Sequence, residues 1–222
     1  MLKPAFRLAQ RRSVEAVAVI AFDVNETLLD LRALDPLLGG LDARKRWFAQ
    51  MLQIGFVGGL TGNYIDFSTA QRAALKMLGL EREDEVLAQM RRLPPHPDVE
   101  PGLDRLTDFT LVALTNSPLD VVTAQLEFAG IAERFEAILS ADQAQALKPR
   151  AEAYQLVAST VGVPLSDVRL VAAHGWDIAG ALAAGCSAAF VRRPGQALIP
   201  LGAQPDIIGD DLVDVAAAIC RT

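Results

Sequence analysis

Cysteine is scarce in this sequence, and so are long apolar runs. Cys186 and Cys220 are the only two cysteines and lie far apart, which favours free thiols in a reducing compartment over a structural disulfide. The apolar run at residues 16–22 ends at Asp23 and is far shorter than the roughly 20 residues that a membrane span needs. The sequence therefore predicts a soluble, cytoplasmic protein without a membrane partner.

Basic residues are also too few and too scattered to attract a nucleic acid. The chain has 21 lysines and arginines against 27 aspartates and glutamates, and its formal net charge is -6. A protein with this balance repels phosphate backbones, and no stripe of basic residues offsets the repulsion. We therefore expect no nucleic-acid partner and predict chemistry on a small molecule.

The chain is rich in apolar residues, which make up 51% of its 222 positions. That is enough for one full core domain and a smaller inserted one. Apolar runs alternate with helical patterns, which predicts an α/β fold built on a doubly wound parallel sheet, with helices on both faces. The predicted strands are residues 17–22, 110–114, 137–139, 169–172 and 187–191.

Capping residues mark the ends of two predicted helices. Ser117 and Pro118 look like an N-cap followed by proline at the first helical position, and Gly130 would close that helix. Gly185 closes a second predicted helix, at residues 177–184, in the same way.

The segment between the first two predicted strands is far longer than an ordinary crossover connection. Its apolar residues, among them Trp47 and Met51, recur at helical spacing. Stiff proline-containing segments at residues 35–36 and 94–97 mark its two ends. The simplest account is an inserted helical cap domain at residues 32–97.

The remaining residues divide into a core and a leader. We expect residues 15–31 and 98–222 to form the core domain. Residues 1–14 show no clear pattern and are expected to form a loosely ordered leader.

Polar residues follow the first four predicted strands, at the edge where an open parallel sheet binds its ligands. They are Asp23 after the first strand, Thr115 to Ser117 after the second, Lys148 after the third, and His174 to Asp177 after the fourth. Each has an ordinary alternative, because such residues often cap helices and lysines mostly lie in solvent. Together they predict one crevice, in which a carboxylate stays ionised and can act as a nucleophile.

The same residues resemble the four ordered motifs of a known superfamily. The segments are FDVNETLLD at residues 22–30, LTNS at 114–117, KP at 148–149 and VAAHGWD at 171–177. They resemble the motifs of the haloacid dehalogenase superfamily, and within it the type II, or L-2-haloacid dehalogenase-like, branch. The resemblance covers about residues 16–195 and implies a Rossmann-like core that carries a helical cap.

The resemblance also implies a reaction and the residues that catalyse it. Asp23 would displace halide at C2 of a short 2-haloacid and form an ester that water then hydrolyses, without a metal ion or any other cofactor. Lys148 would hold Asp23 ionised. Thr27 and Asp177 would order the site.

A second set of matching positions is implied to line the substrate pocket. Thr115 and Asn116 would bind the substrate carboxylate, and Tyr154 matches a position that supports the lysine. Phe48 and Trp176 are expected to form the pocket wall or the core rather than specific ligands. The whole predicted set is Asn25, Phe48, Thr115, Asn116, Tyr154, His174 and Trp176.

Two departures argue against the magnesium-dependent phosphatase activity of most superfamily members. Those enzymes carry a general-acid aspartate two residues after the nucleophile, where this chain has Asn25, and a second motif-four aspartate, where it has Ala173. Mg²⁺ prefers several hard oxygen ligands, and phosphoryl transfer needs its charge neutralised. A halide leaving group needs neither a proton donor nor a metal, so dehalogenation is favoured.

Other departures concern the substrate. The halide-binding arginine of characterised dehalogenases falls on Phe48, and their tyrosine and glycine become Asn25 and Glu26. Arg44, one helical turn before Phe48, is expected to be a solvated flanking residue rather than a substitute. The asparagine that those dehalogenases carry in the fourth motif becomes His174. This histidine has two open interpretations: a structural residue, or a group that orients water or receives an anion.

Two other functions stay open. A phosphatase with a degenerate metal site would release phosphate in Mg²⁺, and a non-catalytic relative would bind a small acid or a partner protein. Retention of the motif residues argues against the second. A homodimer is an expectation from the family, since apolar cap positions such as Trp47 and Phe56 could face a second subunit.

Overall fold

The structure is a computed structural model that describes residues 19–222. The predicted leader at residues 1–14 lies outside the described residues. So do residues 15–18, where the core domain and its first strand are expected to begin.

Six strands form one sheet within the described residues. They are β1 (Val19–Phe22), β2 (Thr110–Thr115), β3 (Ala137–Ser140), β4 (Val168–Ala172), β5 (Ser187–Val191) and β6 (Ile207–Gly209). The strand order is β3-β2-β1-β4-β5-β6, and every neighbouring pair is parallel. This is the doubly wound order of a Rossmann-like fold, so the predicted fold class is confirmed.

Both faces of the sheet are covered by apolar side chains, as is usual for parallel sheets. In β1, Ile20 and Phe22 pack into one core cluster, whereas Val19 and Ala21 pack into a second cluster on the opposite face. All four side chains are buried. Successive residues of a strand point to opposite faces, so a strand buried on both faces needs an unbroken apolar run.

Helices connect the strands. Within residues 19–222 they are α1 (Asp35–Leu38), α2 (Leu41–Leu60), α3 (Phe67–Met77), α4 (Glu83–Met90), α5 (Val99–Asp104), α6 (Leu119–Phe128), α7 (Ala151–Val161), α8 (Gly175–Ala184) and α9 (Leu212–Ile219). No helix in this part of the chain is long and apolar enough to cross a membrane.

The long segment between β1 and β2 is helical, as its apolar spacing predicts. Within it, α2 packs against α3. Trp47 of α2 is fully buried, and its indole N–H donates to the backbone oxygen of Gln71 at 3.2 Å. Trp47 therefore holds α2 and α3 together, and the alternative that it faces a second subunit is wrong. The cap boundaries at residues 32–97 stay a prediction.

The five predicted strands agree closely with β1 to β5, but β6 is missing from the sequence prediction. A strand of three residues is too short to show a periodic pattern. The predicted N-cap at Ser117 is wrong by one residue, because Pro118 occupies that position and α6 begins at Leu119. The second predicted helix ends as expected, with Gly185 in the left-handed conformation at φ 98°.

Candidate active site

The candidate site lies at the carboxyl ends of the central strands, at the topological switch point between β1 and β4 where the strand order reverses. Asp23 directly follows β1, and its backbone N–H donates to the carbonyl of Val171 in β4 at 3.0 Å. Thr115 ends β2, and His174 precedes α8. The parallel pairing of β2, β1 and β4 therefore brings three of the predicted motifs to one edge.

Lys148 lies at the centre of the site and is fully buried. Its Nζ donates to Asp23 Oδ1 at 2.9 Å, to Asp177 Oδ2 at 2.6 Å and to the backbone oxygen of Leu114 at 3.0 Å. An ammonium has three protons, so each finds an acceptor. Burial opposes the charge, but Asp177 and Asp23 raise the pKa of Lys148 above its ordinary value. The structure brings together the two carboxylates and the lysine that the sequence predicts.

Asp23 is held as a carboxylate by its surroundings. Burial opposes ionisation, but the Lys148 ammonium and hydrogen bonds from His174 and Thr27 lower the pKa of Asp23 well below its usual range. The Thr27 hydroxyl donates to Asp23 Oδ2 at 2.6 Å and accepts from the N–H of Ala173 at 2.9 Å. An ionised carboxylate in a fixed orientation is a competent nucleophile.

Hydrogen bonds and a close contact fix the backbone around Lys148. Asn116 Nδ2 donates to the Lys148 carbonyl at 3.1 Å, and the Lys148 N–H donates to Asn116 Oδ1 at 2.8 Å. On the other side, a Cβ at Gly180 of α8 would lie 2.4 Å from Pro149 Cβ and 2.6 Å from the Tyr154 hydroxyl. Only glycine permits this approach. The Asn116 amide thus holds the lysine segment, and its contact with substrate stays a prediction.

Tyr154 supports the lysine through Asp177. Its hydroxyl donates to Asp177 Oδ1 at 2.6 Å, while Oδ2 of the same carboxylate accepts from Lys148. Burial and the charge of Asp177 raise the pKa of Tyr154 well above its usual value, so the phenol stays a neutral donor. The contact of Tyr154 with substrate stays a prediction.

Thr115 lies at the end of β2, and its Oγ1 accepts from the N–H of Ser117 at 3.1 Å. The contact of Thr115 with substrate stays a prediction.

The second oxygen of Asp23 faces a histidine. His174 Nδ1 lies 3.2 Å from Asp23 Oδ2, and His174 Nε2 lies 3.0 Å from Glu26 Oε2. Burial favours the neutral ring, but hydrogen bonds to Asp23 and Glu26 raise the pKa of His174 to about 9. At neutral pH His174 is therefore an imidazolium that donates to two carboxylates. Of its two interpretations, this geometry favours a group that contacts the reacting carboxylate.

Glu26 has a backbone conformation that residues other than glycine usually avoid. Its φ is 61°, in the left-handed region, which costs a residue with a Cβ about 1–2 kcal/mol. There its carboxylate accepts from Arg44 Nη1 at 2.8 Å and from Gln196 Nε2 at 2.6 Å, and it faces His174. Arg44 is buried and also donates to Asp35 at 2.7 Å. The expectation of a solvated Arg44 is therefore wrong, because Glu26 and Asp35 give its guanidinium acceptors inside the protein.

Three aromatic rings stack beside Asp23. His174 lies between Phe48 and Trp176, with ring centroids 5.3 Å away on both sides and interplanar angles of 16° and 23°. Two aromatic faces stabilise an imidazolium between them. Phe48, where the resemblance implies a halide-binding arginine in the family, thus covers the histidine. Trp176 Nε1 is buried and has no hydrogen-bond partner among the described residues.

Asn25 belongs to a separate network under the site. Its Nδ2 donates to Ser117 Oγ at 3.0 Å, and its Oδ1 accepts from Gln125 Nε2 at 3.0 Å. Gln125 also donates to the backbone oxygen of Met90 at 2.7 Å, which joins α6 to the end of α4. Both ends of the Asn25 amide are occupied within the protein. Its contact with substrate stays a prediction.

A mainly apolar cavity of about 560 Å³ lies beside the site. Phe56 and Gly59 of α2 line one side, and Leu147 and Pro149, the neighbours of the catalytic lysine candidate, line the other. Asp23 does not line it directly. Phe56 connects the cavity to the ring stack, since it packs edge-on against Trp176 with centroids 5.6 Å apart.

The donor set near Asp23 does not fit a magnesium ion. Within residues 19–222 no three histidine, cysteine, aspartate or glutamate side chains are grouped so as to hold a metal. Mg²⁺ takes octahedral oxygen coordination, commonly with one or two carboxylates. Here Ala173 offers no side-chain donor, and the Asn25 amide is already bonded to Ser117 and Gln125.

Sequence reasoning missed three residues around His174. The sequence marks Glu26 only as a departure from the family pattern, predicts a solvated Arg44 and indicates no role for Gln196. A signal for Glu26 was present, because a glutamate stands where the family has glycine. No local pattern marks Gln196, which lies in the loop after β5.

The family model for haloacid dehalogenase-like hydrolases matches residues 17–185 of this chain. The chain therefore belongs to the haloacid dehalogenase-like hydrolases. The resemblance inferred from four motifs is confirmed, and the match covers the whole candidate site except the loop with Gln196.

Individual relatives are more specific. The (S)-2-haloacid dehalogenase of Xanthobacter autotrophicus is 30% identical over 200 residues, which cover 81% of this chain and 77% of that protein. Haloacetate dehalogenase H-2 of Moraxella sp. (strain B) is 27% identical over 209 residues, or 87% and 93% of the two chains. The solved L-2-haloacid dehalogenase of X. autotrophicus has a TM-score of 0.83 at 26% identity, over 91% of this chain and 98% of that one. The predicted type II branch is confirmed.

Proposed function

We propose that this protein hydrolyses the carbon–halogen bond of a short 2-haloacid. Asp23 attacks C2, a carbon–oxygen bond forms as the carbon–halogen bond breaks, and halide leaves. Water then attacks the carboxyl carbon of Asp23, and the ester separates into the free aspartate and a 2-hydroxyacid. The relatives named above are 2-haloacid and haloacetate dehalogenases, which supports this reaction.

The observation that carries the proposal is the environment of Asp23. Its carboxylate is buried, is ionised, and has Lys148 Nζ at 2.9 Å from Oδ1 and Thr27 Oγ1 at 2.6 Å from Oδ2. Such a group is fixed in its orientation and poorly solvated, and both conditions favour nucleophilic displacement. Asp177 orients the lysine from the other side.

The substrate carboxylate and the leaving group would lie on the side of the sheet edge that faces the cap. Thr115 ends β2 and Asn116 follows it. Both support a carboxylate site, together with backbone N–H groups before α6. Phe48 and Trp176 form apolar walls around His174. The cavity beside Phe56 is large enough for a small organic acid.

A phosphatase is the less supported alternative. It needs a proton donor for the leaving group and a metal to neutralise the phosphoryl charge. Asn25 carries no transferable proton, and Ala173 carries no ligand. Halide departure requires neither, so we expect the reaction to proceed without a divalent cation.

We further propose a homodimer and a cytoplasmic location. Val57 and Leu60 of α2 are 50% and 88% exposed, which supports contact with a second copy along this helix. Both cysteines are free thiols, with Cys186 buried and Cys220 exposed, which supports a reducing compartment.

A halide-release screen tests the proposed function. Fluoro-, chloro- and bromo-substituted short 2-haloacids of each configuration are incubated with the protein in EDTA, and halide and 2-hydroxyacid are measured together. We expect equal amounts of the two products for one configuration, and none with Asp23→Ala. Phosphate release from a generic phosphate ester in Mg²⁺, without halide release from any haloacid, would favour the phosphatase instead.

A single turnover in ¹⁸O-water tests the covalent step. Because water attacks the ester at the carboxyl carbon, the label should appear in the peptide that contains Asp23. Label found directly in the 2-hydroxyacid would mean that water attacks the substrate and that Asp23 acts only as a base.

A further inference from the structure

We propose that His174, oriented by Glu26, is the general base for hydrolysis of the Asp23 ester. The inference rests on the proposed function and deepens it, because it assigns a proton acceptor to the second half of the reaction. The resemblance implies an asparagine at this position in the family pattern, so the assignment concerns a residue in which this chain departs from that pattern.

Geometry selects His174 from the groups around Asp23. Its Nδ1 lies 3.2 Å from Asp23 Oδ2, within reach of a water that approaches the carboxyl carbon. Lys148 cannot accept a proton, because an ammonium has no lone pair and the Asp177 carboxylate at 2.6 Å still holds its charge when Asp23 is an ester. A threonine hydroxyl such as that of Thr27 is too weak a base. Among the described side chains that contact Asp23, His174 is the one able to take a proton.

The charge of Asp23 decides when His174 can act. In the free enzyme Asp23 and Glu26 both face the imidazole and keep it protonated. Alkylation turns Asp23 into a neutral ester, so one of these two carboxylates disappears while the burial that opposes the charge remains. Glu26 is then the one carboxylate among the described residues that still faces the ring. The other charges nearby, Lys148 beside Asp23 and Arg44 beside Glu26, are positive, and Phe48 and Trp176 are neutral. The halide leaves as an anion, and the imidazolium then releases its Nδ1 proton to solvent.

Every proton that moves during hydrolysis of the ester has a donor and an acceptor. Neutral His174 takes a proton from water as the water oxygen bonds to the carboxyl carbon of Asp23, and the Lys148 ammonium at Oδ1 stabilises the oxyanion. When the tetrahedral intermediate collapses, the bond between the carboxyl carbon and the ester oxygen on C2 breaks. His174 returns the proton to that oxygen, which becomes the hydroxyl of the 2-hydroxyacid. The regenerated carboxylic acid protonates His174, which restores the starting ion pair.

The conformation of Glu26 supports a built-in role for this pair. Glu26 occupies a left-handed backbone position at φ 61°, which favours glycine. Its carboxylate is fixed by Arg44 from the cap and by Gln196 from the loop after β5, and it holds His174 Nε2 at 3.0 Å. A carboxylate behind a histidine orients the ring and leaves the other nitrogen to exchange protons.

One test needs no substrate. The chain has two histidines, His174 and His96, so each can be followed in ¹⁵N-imidazole NMR spectra across a pH titration. Asp23→Asn mimics the uncharged ester, and we expect it to lower the pKa of His174 by roughly one unit or more, while His96 titrates as before. An unchanged titration of His174 in Asp23→Asn would overturn the proposed switch.

A second test follows the reaction. With a short 2-bromoacid, His174→Asn should still release about one equivalent of halide in a burst, but its steady-state turnover should fall roughly 100-fold or more. Peptide mass analysis should then find the ester on Asp23. Loss of the burst together with turnover, or full turnover without accumulated ester, would overturn the assignment.

Two controls separate the possible failures. If the wild-type protein releases no halide from any 2-haloacid, the proposed function fails, whereas the NMR titration still reports on the pair itself. If His174→Asn does not fold, Glu26→Gln serves instead. It should slow ester hydrolysis more than halide release and shift the pH dependence of hydrolysis, because the ring loses its fixed partner.

Discussion

The two oxygens of Asp23 face environments of different origin. Oδ1 faces Lys148, which is held by Asp177 and Tyr154, and each of these residues matches the family pattern. Oδ2 faces His174, which contacts Glu26, and Glu26 in turn contacts Arg44 of α2. The resemblance implies that His174 and Glu26 depart from the family pattern. The comparison indicates that one side sets the charge of the nucleophile, while the other side can vary and adapt the chemistry.

The two sides also differ in whether a proton can move. On the Lys148 side every ammonium proton has an acceptor, and both oxygens of Asp177 have donors. On the other side, the pKa of His174 is raised to about 9 by Asp23 and Glu26, so its charge depends on theirs. A fixed ion pair orients the nucleophile, and a histidine between two carboxylates can respond when one of them reacts.

The largest expected effect comes from removing the charge on the first side. Lys148→Met should lower the rate of halide release by about 10²–10³-fold, because Asp23 loses the cation that keeps it ionised. It should also destabilise the protein by about 3–5 kcal/mol, because two buried carboxylates lose their common partner. Halide assays and urea unfolding measure the two effects.

Arg169→Met is a matched control for that variant. Arg169 is also buried, but it lies on β4 and pairs with the exposed Asp206 at the surface. It should lose stability and keep most of its activity. Equal halide release by Lys148→Met and Arg169→Met would contradict the distinct role of the Lys148 side.

A smaller effect should appear on the second side as a pH dependence of stability. Folding raises the pKa of His174 from 6.5 to about 9, so its contribution is complete below pH 6.5 and disappears as pH rises towards 9. The free energy of unfolding should therefore fall over this interval, by up to about 3 kcal/mol. Urea unfolding at several pH values measures it, and His174→Asn should lack this fall. The same fall in the variant would mean that another group causes it.

A still smaller gain should follow when the second side is converted to the family pattern. Adding Phe48→Arg to His174→Asn supplies an anion donor next to a neutral residue, worth roughly 1.5–3 kcal/mol, so the halide burst should be about tenfold faster or more. Phe48→Arg alone should give no gain, since its guanidinium would meet the His174 imidazolium across a stack of 5.3 Å. A double variant no faster than His174→Asn would show that the leaving group lies elsewhere.

The smallest expected effect is that of removing divalent cations. Lys148 supplies the positive charge beside Asp23 that a metal ion supplies in the phosphatases. Halide release should therefore be the same after exhaustive EDTA treatment and should not respond to added Mg²⁺. Loss of activity on chelation, with recovery in Mg²⁺, would mean that a cation replaces or assists the lysine.

Much of the fold could be predicted because the responsible signals are local. Strands buried on both faces need continuous apolar runs, such as the one that ends at Phe22, and these runs are visible in the sequence. Gly185 ends α8 where predicted because a left-handed residue favours glycine. The three-residue strand Ile207–Gly209 could not be predicted, since it is defined by its pairing with β5 and not by its own pattern.

The sequence by itself determined the Lys148 side of the site. Parallel strands place the residues that follow them at one edge, so the positions of Asp23, Lys148 and Asp177 after β1, β3 and β4 are sufficient to predict that they meet. The second side was decided by tertiary structure. Glu26, Arg44 and His174 meet because a helix of the inserted segment packs over the end of the sheet, and that packing depends on buried surfaces far apart in the chain, which no local spacing encodes.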